Sequence, residues 1–89
     1  MDTEDLKCFI KICEEKSINK AARQLYITPQ GLSKVVRNLE AELETELLQR
    51  TSKGVEPTES GLFFYRKCKQ LIFELIEIKA SVKQIANCN

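Results

Sequence analysis

Apolar side chains at Leu6, Phe9, Ile10 and Cys13 recur with gaps of three, one and three, which predicts one apolar stripe on a helix over Asp5 to Lys16. Ser17 is the first good N-cap beyond it and opens a short second helix with Ala21, Ala22 and Leu25 facing inward. The paired alanines allow two helix axes to cross closely. Tyr26-Ile27 reads as a brief connector. Thr28-Pro29 then marks a third helix: Thr supplies an oxygen for free amides of the first turn, and Pro at the first helical position loses an N–H that had no partner. Leu32, Val35, Val36, Leu39 and Leu43 fall on one face of that helix, while Gln30, Ser33, Lys34 and Arg37 occupy the opposite one. Its end is acidic, with Glu40, Glu42, Glu44 and Glu46 at alternate positions.

Leu47 to Arg50 and Val55-Glu56 flank the polar run Thr51-Ser52-Lys53-Gly54, the pattern of a short β-hairpin. Pro57 confines the second run to an edge or ends it. Thr58 is the expected N-cap of a last, long helix reaching the mid-eighties. In it Phe64, Cys68, Leu71, Leu75, Ile78, Val82 and Ile85 alternate gaps of four and three, a heptad seam that Ile72 and Ile76 widen on one side. The first part, around Phe63 to Cys68, is expected to pack on the first helix. The later part has too few apolar partners left in so short a chain, which points to a second copy of itself.

Composition narrows the function classes. Eighty-nine residues, 43% of them hydrophobic with only three Gly and two Pro, suit one small, mainly helical domain and exclude a disordered tail. Fourteen basic against 13 acidic residues give a net charge of +1. The distribution says more than the sum: Lys16, Lys20, Arg23, Lys34 and Arg37 stand between Lys16 and Leu39 with no acid among them. Arg50 and Lys53 of the hairpin extend this basic set, which suits a duplex backbone. His is absent, removing imidazole catalysis and His-containing metal sites. Cys8, Cys13, Cys68 and Cys88 make no Cys-x-x-Cys pair, so zinc and thioredoxin spacings are both missing. No phosphate-cradling glycine loop or nucleophile–base cluster is present, and an enzyme is not expected. The start, Met1-Asp2-Thr3-Glu4-Asp5, is acidic where a secretory signal would be basic, and no apolar run approaches a membrane span. An intracellular, cytoplasmic protein with reduced thiols is expected, without cofactor or metal.

Two middle helices joined by about three residues have the proportions of a helix-turn-helix, whose second helix enters the major groove. Arg and Lys can reach guanine O6 and N7, Gln can pair with adenine, and Ser accepts either role. Gly54 at the tip of the hairpin would let Lys53 and Arg50 follow the neighbouring backbone as a wing, though Arg50 could also pair with Glu42 or Glu46.

Ser17 to Leu25, Thr28, Leu32-Ser33 and Leu39-Glu40, followed by Leu43, Leu47 to Arg50, Lys53-Gly54 and Thr58 to Gly61, resemble the N-terminal domain of LysR-type transcriptional regulators over nearly the whole chain. The resemblance implies a mainly α winged helix-turn-helix: three helices, a short β-hairpin wing and a long C-terminal linker helix. It implies a DNA-binding domain over residues 1–58, with its helix-turn-helix at about 18–37 and its wing at about 47–57. Residues 59–89 would be the linker helix, pairing antiparallel in a homodimer through Leu71, Leu75, Ile78, Val82 and Ile85. Promoter DNA would be bound by Lys20, Thr28, Gln30, Ser33, Lys34, Arg37, Arg50 and Lys53. The chain departs from the family in Glu44, where Gly is common, in Leu48, where Phe is common, and in Pro29-Gln30, where the order is often Gln-Pro. The effector-binding region of the family is missing, and a fragment is the favoured explanation over a naturally minimal protein. The rival expectation is a small dimerisation protein that titrates a full-length regulator without binding operator DNA.

Overall fold

The structure is a computed structural model and describes residues Met1–Cys88. It contains α1 (Thr3–Glu15), α2 (Ile18–Leu25), α3 (Pro29–Leu43), β1 (Leu48–Thr51), β2 (Gly54–Pro57) and α4 (Glu59–Asn87) in chain order. The linker helix expected over 59–89 therefore runs to Asn87, and Asn89 lies outside the described residues.

Each helix starts where a side chain satisfies the free amides of its first turn. Asp2 caps α1 in a reciprocal box: the Asp5 N–H donates to Asp2 at 2.9 Å and the Asp2 N–H donates to Asp5 at 3.2 Å. This box carries α1 two residues further towards the N-terminus than its apolar stripe indicated. Ser17, Thr28 and Thr58 accept from the N–H groups of Lys20, Gly31 and Gly61 at 3.1, 3.0 and 3.0 Å. All three N-caps agree with the sequence reading.

The core is built around α1. Ile12, Ala21, Ala22, Leu32, Val36 and Val55 form one buried cluster, and Phe9, Leu39 and Leu47 a second, with Leu48 packed against both. The α1 stripe differs from expectation: Leu6, Phe9 and Ile12 are its buried residues, while Ile10 and Cys13 are only half-buried. Ile12 is the proper i+3 partner of Phe9 and meets the two alanines of α2, whose small side chains admit it. In α3 the inward face is Leu32, Val36 and Leu39; Val35 is half-buried and Leu43, at the end of the helix, is exposed.

β1 and β2 pair antiparallel with Gln49 opposite Glu56 and Arg50 opposite Val55. The turn itself is Ser52-Lys53, since Thr51 and Gly54 already belong to the strands. Gly54 therefore lies beside the tip rather than on it, and its glycine is required for another reason. Its φ is 144°, and a Cβ there would collide with the Lys16 carbonyl. That carbonyl accepts from the Val55 N–H at 3.2 Å, tying the wing to the turn between α1 and α2.

α3 ends at Glu44, which adopts the left-handed conformation at φ 56° and donates its N–H to the Glu40 carbonyl. This explains the departure noted at that position: glycine occupies this region without penalty, whereas a side chain costs about 1 kcal/mol. Glu44→Gly is expected to raise unfolding stability by roughly 0.5–1 kcal/mol, read from a denaturant melt. No change would show that the cap is relaxed in solution.

The four cysteines are free thiols. Burial first, then the neighbouring Cys68 and Glu14, pushes Cys13 up to about 12, and burial pushes Cys68 up to about 11. Burial and the acids Asp5, Glu4 and Asp2 also raise Cys8. Only the thiolate reacts, so a maleimide at pH 7 is expected to label Cys88, which is exposed, well before the other three. Equal labelling of all four in the native protein would contradict this packing. Because the folded values lie above the ordinary 9.0, the unfolded chain loses these protons first. Their contribution to stability is whole below pH 9 and drains away between about pH 9 and 12.

Candidate nucleic-acid interface

The outward face of α3 is set by helical geometry. At 3.6 residues per turn Gln30, Ser33, Lys34 and Arg37 fall within an arc of about 100°, opposite Leu32, Val36 and Leu39. Gln30, Lys34 and Arg37 are exposed and Ser33 is half-buried. Burying the apolar face against α1 and α2 thus leaves four polar side chains pointing together into solvent.

Neighbouring elements enlarge this face. A hollow of about 270 Å³ is lined by Pro29, Gln30, Ser33 and Arg37. A cleft of about 230 Å³ joins Ser33 to Ser17, Ile18 and Asn19 at the start of α2 and to Arg50 of the wing. Arg50, Ser33 and Arg37 also meet across a third hollow, beside Gln49. Ser33 is therefore the hub where α2, α3 and the wing converge. Lys53 stands apart, in the hairpin turn, beside a separate hollow lined by Lys16, Thr51 and Glu56. Lys20 and Lys34 are exposed on α2 and α3. Thr28 is exposed as well; its Oγ1 accepts from Gly31, which leaves its hydroxyl hydrogen able to donate outward.

The cations of this surface are not neutralised internally. Among the described residues the ion pairs involve the Met1 amino group, Lys7 and Lys11, and none includes Lys20, Lys34, Arg37, Arg50 or Lys53. Arg50 does not pair with Glu42 or Glu46; Glu42 instead lies 3.5 Å from the Met1 amino group. Glu40, at the border of the basic face, has another task. Its carboxylate accepts from the Leu47 and Leu48 N–H groups at 2.7 and 3.4 Å and so fastens the root of the hairpin to α3.

Sequence reasoning did not single out Asn19 or Gln49. Asn19 carried only its place in the first turn of the helix capped by Ser17; its nearness to Ser33 and Arg50 comes from the packing of α2 on α3 and the wing. Gln49 carried none: its place beside the cleft, and the 3.0 Å bond its amide donates to Glu56, depend on the strand register.

Comparison with known proteins agrees with this architecture. The family model described as a bacterial regulatory helix-turn-helix protein, lysR family, matches residues 3–62. The chain is 37% identical over 87 residues to the HTH-type transcriptional regulator BenM of Acinetobacter baylyi, covering 98% of this chain and 29% of that protein. It is 37% identical over 82 residues to an uncharacterised HTH-type transcriptional regulator of Haemophilus influenzae, covering 92% of this chain and 28% of that protein. The chain thus spans less than a third of the length of these relatives. Among solved structures, the BenM DNA-binding domain in complex with catB site 1 DNA superposes with a TM-score of 0.93 at 36% identity, covering 100% of this chain and 99% of that one. The CbnR DNA-binding domain complexed with DNA gives 0.83 at 29% identity, covering 98% and 99%. These matches are to transcription regulators rather than to enzymes. With α2 and α3 as its helix-turn-helix and β1–β2 as its wing, the chain belongs to the LysR family of bacterial regulatory helix-turn-helix proteins.

Proposed function

We propose that the protein binds promoter DNA as a homodimer and regulates transcription, with residues 1–58 as the DNA-binding unit and α4, Glu59–Asn87, as the dimerisation helix. The observation that carries this reading is the joint exposure of Gln30, Lys34 and Arg37, with Ser33 between them, on the face of α3 turned away from the core. Its likeness to domains solved in complex with DNA supports the same reading. In it α3 enters the major groove, Gln30, Ser33 and Arg37 address base edges, and Lys34 reaches a base or the adjoining phosphate. Lys20, Thr28, Arg50 and Lys53 hold phosphates on either side and so set the register of α3 without reading sequence. The work would be done in the cytoplasm, at the nucleoid.

The dimer seam follows from what α4 leaves uncovered. Phe64 and Tyr65 pack on the second core cluster, and the Phe64 ring lies 5.2 Å from that of Phe9. Cys68 is buried, while Ile72 and Leu75 are half-buried. Phe63 is not part of this packing; its side chain is 63% exposed. Beyond Cys68 the protomer offers little cover: Leu71, Ile78, Val82 and Ile85 are between 52% and 71% exposed. A second α4 packed along them would place two copies of α3 on two half-sites of one operator.

The Lys34→Ala/Arg37→Ala double variant separates this function from a titrating dimerisation protein. It is expected to lose about 100-fold or more in operator affinity, at roughly 1–3 kcal/mol for each contact, with the dimer and melting temperature unchanged. The wild type should also bind more weakly as salt rises, with a steeper slope than the variant. Unaltered affinity in a gel-shift or anisotropy titration would overturn the assignment.

A further inference from the structure

α4 carries more apolar surface than one seam can hide. Leu71, Leu75, Ile78, Val82 and Ile85 lie within about 80° of one another around the helix, whereas Phe73, Ile76 and Ala80 form a second row on roughly the opposite side. Phe73 and Ile76 are 61% and 58% exposed, and Leu62, also exposed, continues the row towards the start of α4. The face that packs on α1, around Gly61, Phe64 and Cys68, continues the first seam and does not reach the second row. A partner helix along the first seam covers a stripe about 100° wide and leaves the second row in water.

Charge decides which occupant suits that row. Arg66, Lys69, Lys79 and Lys83 border it, all exposed, against the acids Glu59 and Glu77. Lys69 and Lys83 stand seven residues to either side of Ile76. Pairing the row with its own copy in register on Ile76 would set lysine against lysine in either direction, which is repulsive. A helix carrying carboxylates at both ends of a short apolar stripe meets the opposite condition. We infer that the Phe73–Ile76–Ala80 face of α4 docks an acidic amphipathic helix of another protein. Three apolar anchors make a small contact, so the association is weak and transient.

The test uses the intact dimer and a fluorescent synthetic peptide with leucines at helical i, i+3, i+4 and i+7 spacing and glutamates flanking them. Anisotropy is expected to give a dissociation constant in the micromolar range, about 10 μM, that rises with salt. Phe73→Ser/Ile76→Ser, and separately Lys69→Glu/Lys83→Glu, should each weaken binding at least tenfold while the dimer and operator affinity persist. The inference is overturned if either double variant binds the peptide as the wild type does, or if a glutamine version of the peptide binds equally well. It is overturned equally if Ile78→Glu alone abolishes binding, since the peptide would then occupy the seam. Wild-type tetramers in sedimentation that Phe73→Ser/Ile76→Ser reduces to dimers would reassign the face to a second copy. Binding to anionic lipid vesicles that the same variant loses would reassign it to a membrane surface.

Discussion

Gly61→Ala is expected to lower the melting temperature by about 15 °C. Gly61 is buried in the first turn of α4, and a Cβ on it would be driven into the backbone carbonyl of Leu47. That carbonyl has no room to yield. It accepts the Thr58 N–H at 3.0 Å, while the Leu47 N–H donates to the Glu40 carboxylate at 2.7 Å. Thr58 is itself engaged twice: its hydroxyl donates to the Glu46 carbonyl at 2.7 Å and accepts from the Gly61 N–H at 3.0 Å. Relief requires α4 to move off the hairpin root, breaking several of these bonds and opening the packing around Leu47. Overpacking of this kind costs about 3 kcal/mol, and in a domain of this size each kcal/mol is worth roughly 4–8 °C. A reversible thermal melt followed by circular dichroism reads the effect. A variant melting with the wild type would mean that α4 is not seated on Leu47 in solution.

Ile78→Glu is expected to turn the proposed dimer into monomers at micromolar concentration and to weaken operator binding by about 100-fold or more. Ile78 is 59% exposed in the protomer, so a carboxylate there costs the folded monomer almost nothing. In the proposed dimer the same position is at the middle of the seam, where two carboxylates would meet without a cation and without water. Loss of dimerisation also removes the advantage of binding two half-sites at once, which is worth roughly 10² to 10⁴ in affinity. Leu75 lies nearer the middle of the heptad pattern, but it is half-buried within its own protomer, so Leu75→Glu would mix folding with association. Sedimentation velocity separates the two: an unchanged dimer with an unchanged melt would place the interface elsewhere on the chain.

Much of the fold was legible because its signals are local. Ser17, Thr28 and Thr58 mark helix starts, since a hydroxyl that can accept a first-turn amide acts within its own few residues. The α3 polar face could likewise be read from spacing alone, because helical periodicity assigns Gln30, Ser33, Lys34 and Arg37 to one side whatever lies on the other. The α1 stripe was read less well. Ile10 and Ile12 flank the Leu6–Phe9 line on opposite sides, so spacing alone admits either edge; the choice falls to Ile12 because Ala21 and Ala22 leave room for it.

The candidate site divides the same way. Lys34 and Arg37 could be named from charge and spacing, but the partnership of Ser33 with Asn19 and Arg50 could not, because it joins residues from three elements. Glu40 illustrates the limit most clearly. In the chain it is one of four alternating acids, and only the folded hairpin turns its carboxylate into the anchor of Leu47 and Leu48.

The amino-acid sequence by itself determined the order and type of the elements, the capping of α2, α3 and α4 and the polar face of α3, because these arise from interactions spanning one or two turns. Tertiary structure alone decided which apolar residues fill the core, why positions 54 and 61 must lack a side chain, which acid holds the wing and how much of α4 remains bare. Those outcomes rest on backbone and side chains brought together from distant parts of the chain, whose approach no local pattern encodes.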